Sequence, residues 1–130
     1  MGLFGSGPKV VIVEDNEALA EIYKVRLEIL GYKIFSAYDG EQALQIIEKE
    51  RPNLVLLDIM IPKISGDQVL ATMRANDWGK DIKVHIISNL NEADAPAGIR
   101  DNGIVGYSVK ANLQNDQIDD IVRGVLGSAL

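Results

Sequence analysis

The chain has 130 residues, a formal net charge of −6 and no cysteine. A chain of this length forms about one domain, which buries enough surface for a single core. The lack of cysteine excludes a thiol nucleophile and a cysteine-based metal site, and it fits a reducing compartment. The excess of acidic residues argues against direct contact with nucleic acid, and no apolar stretch approaches the roughly 18 residues that span a bilayer. We therefore expect a cytoplasmic protein that does not enter the membrane.

Short apolar runs alternate along the chain with amphipathic segments, which is typical of strands that alternate with helices. The predicted strands, which lack polar alternation, are 9–13, 33–37, 54–57, 83–88 and 106–109. The predicted helices, which each carry an apolar face, are 17–30, 40–50, 66–75, 95–102 and 114–126. Strict alternation predicts right-handed crossovers and a parallel sheet covered by helices on both faces. The fold class is therefore α/β.

Proline indicates where the fourth helix begins, and glycine content indicates a leader at the start of the chain. Pro96 fits a helix only in its first turn, so this helix is predicted to begin near Ala95, with residues 90–94 as a loop. Residues 1–7 are rich in glycine and are predicted to form a flexible leader. The domain is then predicted over 8–127, with 128–130 as a short tail.

Polar residues follow the carboxyl ends of four predicted strands. Glu14 and Asp15 follow the first strand, Asp58 follows the third, Ser88 ends the fourth and Lys110 follows the fifth. One such residue alone is usually a cap, a turn former or a solvated charge. In an open doubly wound sheet, however, ligands bind beyond the carboxyl ends of the strands. Four such strand ends together predict one polar site.

This set of residues resembles the receiver domain of two-component response regulators over about 9–126. The resemblance rests on residues at the strand ends and in the loops that follow them: Glu14-Asp15, Asp58, Pro62, Gly66, Ser88, Tyr107 and Lys110. It implies a flavodoxin-like, doubly wound sheet of five parallel strands in the order 2-1-3-4-5, with five helices. It also implies a signalling domain that assists its own phosphorylation and dephosphorylation, and not an enzyme in the usual sense.

The resemblance implies a phosphoacceptor and a metal site. Asp58 would attack a phosphohistidine and become an aspartyl phosphate. Mg²⁺, or Mn²⁺, would be bound by Glu14, Asp15, Asp58 and the backbone carbonyl of Met60, because such ions prefer oxygen ligands. The same assignment is plausible on physical grounds, since phosphoryl transfer mainly requires charge neutralisation and alignment.

The resemblance also implies roles for three residues near the last two strands. Lys110 and the Ser88 hydroxyl would bind the phosphoryl oxygens. Ser88 and Tyr107 would form a switch that changes the surface made by helix 4, strand 5 and helix 5. A homodimer could form through the same surface.

Two apolar residues are expected to set the lifetime of the phosphorylated state. In receivers, the residues two past the acceptor and two past the conserved hydroxyl flank the path of the hydrolytic water, and here they are Met60 and Leu90. Neither side chain can orient a water molecule by hydrogen bonding, and both restrict its approach. Hydrolysis is therefore expected to be slow.

The partners that the resemblance implies are proteins. A sensor histidine kinase or a phosphotransfer protein would supply the phosphoryl group. A downstream protein target or a fused output domain would receive the signal. We expect no direct contact of the receiver with nucleic acid or with a membrane.

Two other classes of protein share parts of this pattern. Phosphatases of the haloacid dehalogenase type also use an aspartate at a strand end, but they carry Asp-x-Asp, and here Met60 stands two residues after Asp58. A pseudo-receiver that binds a partner without being phosphorylated has the same fold, and fold alone does not imply function. Beryllofluoride or acetyl phosphate distinguishes these classes, because only a true receiver responds.

Two residues, Pro96 and Ala111, depart from the family pattern, and two others are predicted to be structural. Receivers commonly have a proline joined by a cis bond after the conserved lysine, whereas Ala111 follows Lys110. A cis bond before another residue costs about 2.5 to 4 kcal/mol, so the sequence leaves the state of this bond open. His85 is predicted to be a packed core histidine because no second metal ligand stands beside it. Trp78 is predicted to cover an edge of the core.

Overall fold

The computed structural model describes residues 7–130, and its five strands form one parallel sheet. The strands are β1 (Lys9–Val13), β2 (Lys33–Ala37), β3 (Leu54–Leu57), β4 (Lys83–Ser88) and β5 (Gly106–Val109). They lie in the order β2-β1-β3-β4-β5. The predicted fold class and strand order are confirmed. Residues 1–6 of the predicted leader lie outside the described residues.

The α-helices cover both faces of the sheet. They are α1 (Glu17–Ile29), α2 (Gly40–Glu50), α3 (Gly66–Arg74), α4 (Ala97–Asp101) and α5 (Gln117–Leu126). The side chains of Asn16 and Asp39 cap α1 and α2 by accepting hydrogen bonds from backbone N–H groups in the first turn. No helix in residues 7–130 combines the length and the apolar composition that crossing a membrane requires.

The sheet separates two apolar cores. Val55 and Leu57 of β3 join the core beneath α2, α3 and α4, whereas Leu54 and Leu56 join the core beneath α1 and α5. All four side chains are at most 2% exposed. Because helices cover both faces, no position of β3 meets solvent, which explains the lack of polar alternation in the sequence.

The fourth helix begins later than predicted. α4 starts at Ala97 and not near Ala95, and Glu92–Asp94 forms a 3₁₀ turn in the segment predicted as a loop. Ala95 and Pro96 both have extended backbone, with ψ of 149° and 145°. The ring of a proline disfavours helical backbone in the residue before it, so Ala95 cannot join the helix. Pro96 is therefore the N-terminal cap and does not lie in the first turn.

The fifth helix is also shorter at its start. The structure places its first residue at Gln117 and not at Gln114. The segment before it forms a 3₁₀ turn over Lys110–Asn112, and the backbone N–H of Gln117 donates to the carbonyl of Gln114. These hydrogen bonds span three residues and not four, which gives the backbone an alternative to a helical turn.

The two side chains predicted to be structural lie in the interior or at its edge. His85 is buried, and its Nε2 lies 2.9 Å from the Ser108 hydroxyl oxygen. Trp78 packs against the core beneath α2, α3 and α4.

A guanidinium group ties together the ends of α3 and α4. Arg74, the last residue of α3, donates hydrogen bonds to four backbone carbonyls, those of Gly79, Ile82, Asn102 and Gly103. The last two carbonyls lie directly after α4. Arg74 and these four carbonyls lie at the end of the sheet where the strands begin.

Candidate functional site

Acidic residues meet at the carboxyl ends of two neighbouring strands. Glu14 follows β1, Asp58 follows β3, and the Asp58 N–H donates a 3.1 Å hydrogen bond to the carbonyl of Val13. Glu14 and Asp58 are 3% and 4% exposed, whereas Asp15 is exposed. One carboxylate oxygen from each of the three acids lies within 4.8 Å of the others. The parallel pairing of β1 with β3 thus creates the predicted acidic cluster.

Lys110 bridges the two buried carboxylates. It follows β5, and its Nζ lies 2.7 Å from Glu14 Oε1 and 2.7 Å from Asp58 Oδ2. Residues 7–130 contain no cis peptide bond, so the Lys110–Ala111 bond is trans. The structure therefore brings the lysine of one strand end to the acids of two others.

The second oxygen of each buried carboxylate accepts a backbone hydrogen bond. Asp58 Oδ1 accepts from the Met60 N–H at 3.1 Å, and Glu14 Oε2 accepts from the Asn16 N–H at 3.0 Å. Each carboxylate is thus held on one side by the lysine and on the other by the loop that follows its strand. Charged hydrogen bonds of this kind are stronger than neutral ones, and they fix the orientation of the acceptor.

Burial and pairing determine the ionisation of these groups. Burial raises the pKa of Glu14, and hydrogen bonds from Lys110 and from the Asn16 N–H oppose that effect. Burial also acts to lower the pKa of Lys110, but its hydrogen bonds to Asp58 and Glu14 leave that pKa above its ordinary value. Lys110 is therefore a stable cation at neutral pH.

The loop between β3 and α3 is held against the start of α2. The Gly40 N–H donates to the carbonyl of Pro62 at 3.1 Å, and Lys63 Nζ lies 3.6 Å from the Asp39 carboxylate. This loop contains Met60, so these contacts determine where the Met60 backbone lies relative to Asp58.

Two glycines make this close packing possible. A Cβ atom at Gly66 would collide with the carbonyl oxygen of Asp58, and one at Gly40 would collide with the carbonyl oxygen of Ile64. The sequence pattern singled out Gly66 but missed Gly40. No local pattern distinguishes Gly40 from a glycine that merely begins a helix, because its contact is with a loop more than twenty residues away.

Ser88 and Tyr107 meet at the backbone of Leu90. The Ser88 hydroxyl oxygen accepts a 3.4 Å hydrogen bond from the Leu90 N–H, and the Tyr107 hydroxyl donates a 2.6 Å bond to the Leu90 carbonyl. Among the described residues, no hydrogen bond joins Ser88 to Asp58 or Lys110. Burial raises the pKa of Tyr107, so its hydroxyl stays protonated and remains a donor.

The sequence as a whole matches one protein family. Residues 10–123 match the family model described as "Response regulator receiver domain". The chain belongs to this family.

Curated relatives and solved structures of other proteins agree with this family. The receiver is 34% identical over 119 residues to a protein named "Probable transcriptional regulator ycf27" from Porphyridium aerugineum, a match that covers 91% of the receiver and 48% of the relative. The receiver thus spans about half the length of the curated relatives that it matches most fully.

Two solved structures show the same fold. The chemotaxis response regulator CheY4 of Vibrio cholerae matches with a TM-score of 0.83 at 21% identity, over 93% of the receiver and 100% of that chain. The response regulator Rcp1 matches with a TM-score of 0.73 at 25% identity, over 91% of each chain. The flavodoxin-like architecture is therefore that of a CheY-type receiver.

The acidic cluster of the receiver is suited to a hard divalent cation. Its donors are carboxylate oxygens only, from Glu14, Asp15 and Asp58. Such ligands favour Mg²⁺ or Mn²⁺ over metals that prefer nitrogen or sulfur. Two of these carboxylates, those of Glu14 and Asp58, are already paired with the positive charge of Lys110 at 2.7 Å. The residues present therefore fit the ion that the family resemblance implies.

Proposed function

We propose that the receiver accepts a phosphoryl group on Asp58 from a phosphohistidine of a sensor histidine kinase or a phosphotransfer protein. The observation that carries this proposal is the environment of the Asp58 carboxylate. It is buried beside Glu14, one oxygen is paired with Lys110, and the other accepts from the Met60 N–H. Negative charge at this point is therefore both concentrated and fixed in direction, as a nucleophile requires.

In the proposed reaction, an Asp58 oxygen forms a bond to phosphorus while the phosphorus–nitrogen bond breaks and the imidazole leaves. Lys110 and the Ser88 hydroxyl bind oxygens of the transferred group. The ion pair of Lys110 supports this role, because among the described residues Lys110 is the cation paired with Asp58. The receiver thus assists its own phosphorylation, and the later hydrolysis of the acyl phosphate, by positioning and charge.

Mg²⁺, or Mn²⁺, would be bound by the carboxylates of Glu14, Asp15 and Asp58 and by the backbone carbonyl of Met60. The ion would supply positive charge that neutralises the phosphoryl oxygens. The structure of Rcp1 is described as a Mn²⁺-bound form, and that of the receiver domain of sensor histidine kinase PA1611 as having a magnesium ion coordinated in the active site cleft, which supports a divalent cation here.

Ser88 and Tyr107 are proposed to switch the surface formed by α4, β5 and α5. Leu90 links them, since its N–H donates to Ser88 and its carbonyl accepts from Tyr107. A movement of the Ser88 hydroxyl toward a phosphoryl group would break its bond to Leu90 and displace the carbonyl that holds the Tyr107 ring. The surface would bind a downstream protein, a fused output domain or a second copy of the chain.

We place the receiver at about 8–127, in the cytoplasm. A relative named as a transcriptional regulator supports an output domain in the longer proteins of this family. The receiver itself is proposed not to bind nucleic acid, because its net charge of −6 would repel phosphates.

Phosphorylation is tested by mass spectrometry after treatment with acetyl phosphate and Mg²⁺. The wild type is expected to gain one group of about 80 Da that hydroxylamine removes, as it removes acyl phosphates. Asp58→Ala abolishes this gain, whereas the exposed-carboxylate control Asp81→Ala retains it. A full mass shift in Asp58→Ala would move the acceptor elsewhere, and no shift in the wild type would favour a pseudo-receiver.

The metal is tested by thermal unfolding. Millimolar Mg²⁺ is expected to raise the melting temperature of the wild type, because it relieves repulsion between carboxylates. Asp58→Asn should blunt this rise. A wild-type melting temperature that does not respond to Mg²⁺ would contradict the metal site.

The lifetime of the phosphorylated state is tested by its decay in Mg²⁺. Met60 is 59% exposed beside the site, and Leu90 is partly buried against the core. Neither side chain can orient water, so the wild type is expected to lose its phosphate slowly, and Met60→Asn and Leu90→Glu to lose it faster. If neither substitution speeds the decay, the proposed water path is wrong.

A further inference from the structure

Tyr23 approaches the acidic site from inside the protein. It lies on α1, is 3% exposed and belongs to the core beneath α1 and α5. A cavity of about 10 Å³ is lined by this residue and by both residues with buried carboxylates. The residues that line it are Ile12, Val13, Glu14, Tyr23, Leu56, Asp58 and Ile87. The phenol thus shares one small space with the two carboxylates that hold Lys110.

Tyr23 brings a hydrogen-bond donor to this site, and its hydroxyl reaches solvent, because Ser36 Oγ is the one enclosed side-chain polar atom without a partner among the described residues. Among residues 7–130, no hydrogen bond to its hydroxyl is found, whereas the hydroxyl of Tyr32 in the same core donates to the carbonyl of Gly127. Buried tyrosine hydroxyls usually have a partner. Burial and then the charge on Glu14 raise the pKa of Tyr23, so the phenol keeps its proton. The other residues with polar side chains that line the cavity are Glu14 and Asp58.

Glu14 needs such a donor when Lys110 binds a phosphoryl group at the site. At present Glu14 Oε1 is paired with Lys110, and Oε2 accepts from the Asn16 N–H. In the proposed function Lys110 turns to the phosphoryl group, so Glu14 loses one of these two partners. A buried carboxylate that loses a partner is free to rotate, and it is costly to leave unsatisfied.

We propose that Tyr23 is a positioning residue whose hydroxyl donates to Glu14 through one water in this cavity and keeps that carboxylate directed toward the metal. A cavity of this size is about the smallest that holds one water. The inference rests on the proposed function for its purpose, but the water-mediated contact between Tyr23 and Glu14 is expected in the metal-free protein as well. Removing a group that orients a metal ligand commonly weakens metal affinity by about 10- to 100-fold.

The contact is tested first without metal. Protein labelled with ¹³C at the tyrosine Cζ carbon gives one resonance for each tyrosine, and Tyr23→Phe assigns the one of interest. Glu14→Gln is expected to shift the Tyr23 resonance and to leave that of Tyr32 in place, because Tyr32 bonds to Gly127. A Tyr23 resonance that does not move in Glu14→Gln overturns the inference, whether or not the receiver binds Mg²⁺.

The consequence is tested by calorimetric titration with Mg²⁺. Tyr23→Phe keeps the ring in the core and removes only the hydroxyl, and it is expected to weaken Mg²⁺ binding by about tenfold. Tyr32→Phe is the matched control, since it removes a buried hydroxyl away from the site and should leave the affinity unchanged. Equal affinities of Tyr23→Phe and the wild type contradict the positioning role while leaving the metal site intact. If the wild type binds no Mg²⁺, the proposed metal site fails, and the resonance experiment alone decides the contact.

Discussion

Strands β1 and β3, here called the buried half, differ in burial from β5 and α4, here called the half-buried half. Every residue of β3 is buried, whereas every residue of the edge strand β5 is only half-buried, and the neighbouring α4 has five residues. The buried half positions Glu14 and Asp58, and the half-buried half carries Lys110 and Tyr107. Regions with fewer buried contacts open at lower free energy. The receiver thus joins a rigid anionic half to a half that moves more easily, and the ion pairs of Lys110 connect them.

Removing the ion pairs of Lys110 is expected to cause the largest loss of stability. Lys110→Met leaves two buried carboxylates without a cation, and breaking a buried ion pair from one side costs about 3–5 kcal/mol. Urea unfolding in EDTA should show this loss, and millimolar Mg²⁺ should restore part of it. Lys80→Met is the control, because Lys80 and its partner Asp77 are exposed. A loss no larger than that of Lys80→Met would mean that Lys110 does not hold the halves together.

Matched truncations in the two halves measure the difference in burial directly. Val55→Ala removes two methyl groups from a fully buried position in β3, and the lost transfer energy plus the cavity should cost about 2–3 kcal/mol. Val109→Ala in half-buried β5 should cost about 1 kcal/mol or less, because solvent already reaches that side chain. Equal costs in urea unfolding would remove the basis for distinguishing the halves.

The pH dependence of stability reports on the ionisation of His85, which lies in β4 beside β5. Burial lowers its pKa below the ordinary 6.5. As the pH falls below about 6.5, the unfolded chain takes up a proton that the folded protein refuses, so stability falls, by at most about 1.4 kcal/mol per pH unit. Above that pH the contribution is constant. His85→Leu should remove this part of the slope between pH 7 and 5, and an unchanged slope would show that His85 is protonated equally in both states.

The smallest loss of stability is expected when the hydrogen bond of Tyr107 in the half-buried half is removed. Tyr107→Phe removes the bond to the Leu90 carbonyl and should cost about 1 kcal/mol. Hydrogen exchange should accelerate in residues 89–96 and stay unchanged in β1 and β3. Faster exchange in all strands would indicate global destabilisation and would contradict a local role.

The sequence predicted the strands better than the starts of the last two helices. The bounds of all five strands agree with the structure, and in β1 and β3 burial on both faces demands an uninterrupted apolar run. The starts of α4 and α5 were wrong by two and three residues, since Pro96 and the turn at Gln114 compete with helical backbone through local hydrogen bonds and sterics. Local competition of this kind leaves no periodic signal.

For the candidate site, residues at strand ends were accessible to sequence reasoning, and contacts between distant segments were not. The strand order that the resemblance implies, and that the structure shows, places β1 beside β3 and thus Asp58 beside Glu14. The contact of Gly40 with the loop after β3, and the position of Tyr23 beneath the carboxylates, depend on packing. The sequence assigned Tyr23 only to the inward face of α1, and an apolar face does not reveal which core residue approaches a site.

The four carbonyls bound by Arg74 give α4 a fixed pivot. Two of them, Asn102 and Gly103, lie at its C-terminal end, and the same guanidinium holds the end of α3 through Gly79 and Ile82. The opposite end of α4 adjoins the segment that contains Leu90. If the proposed switch displaces Leu90, we expect α4 to rotate about its C-terminal end, because Arg74 anchors that end. The displacement would be largest at the start of the helix and smallest near Arg74, so a small movement at the site would change the direction of the helix and would not slide the whole helix.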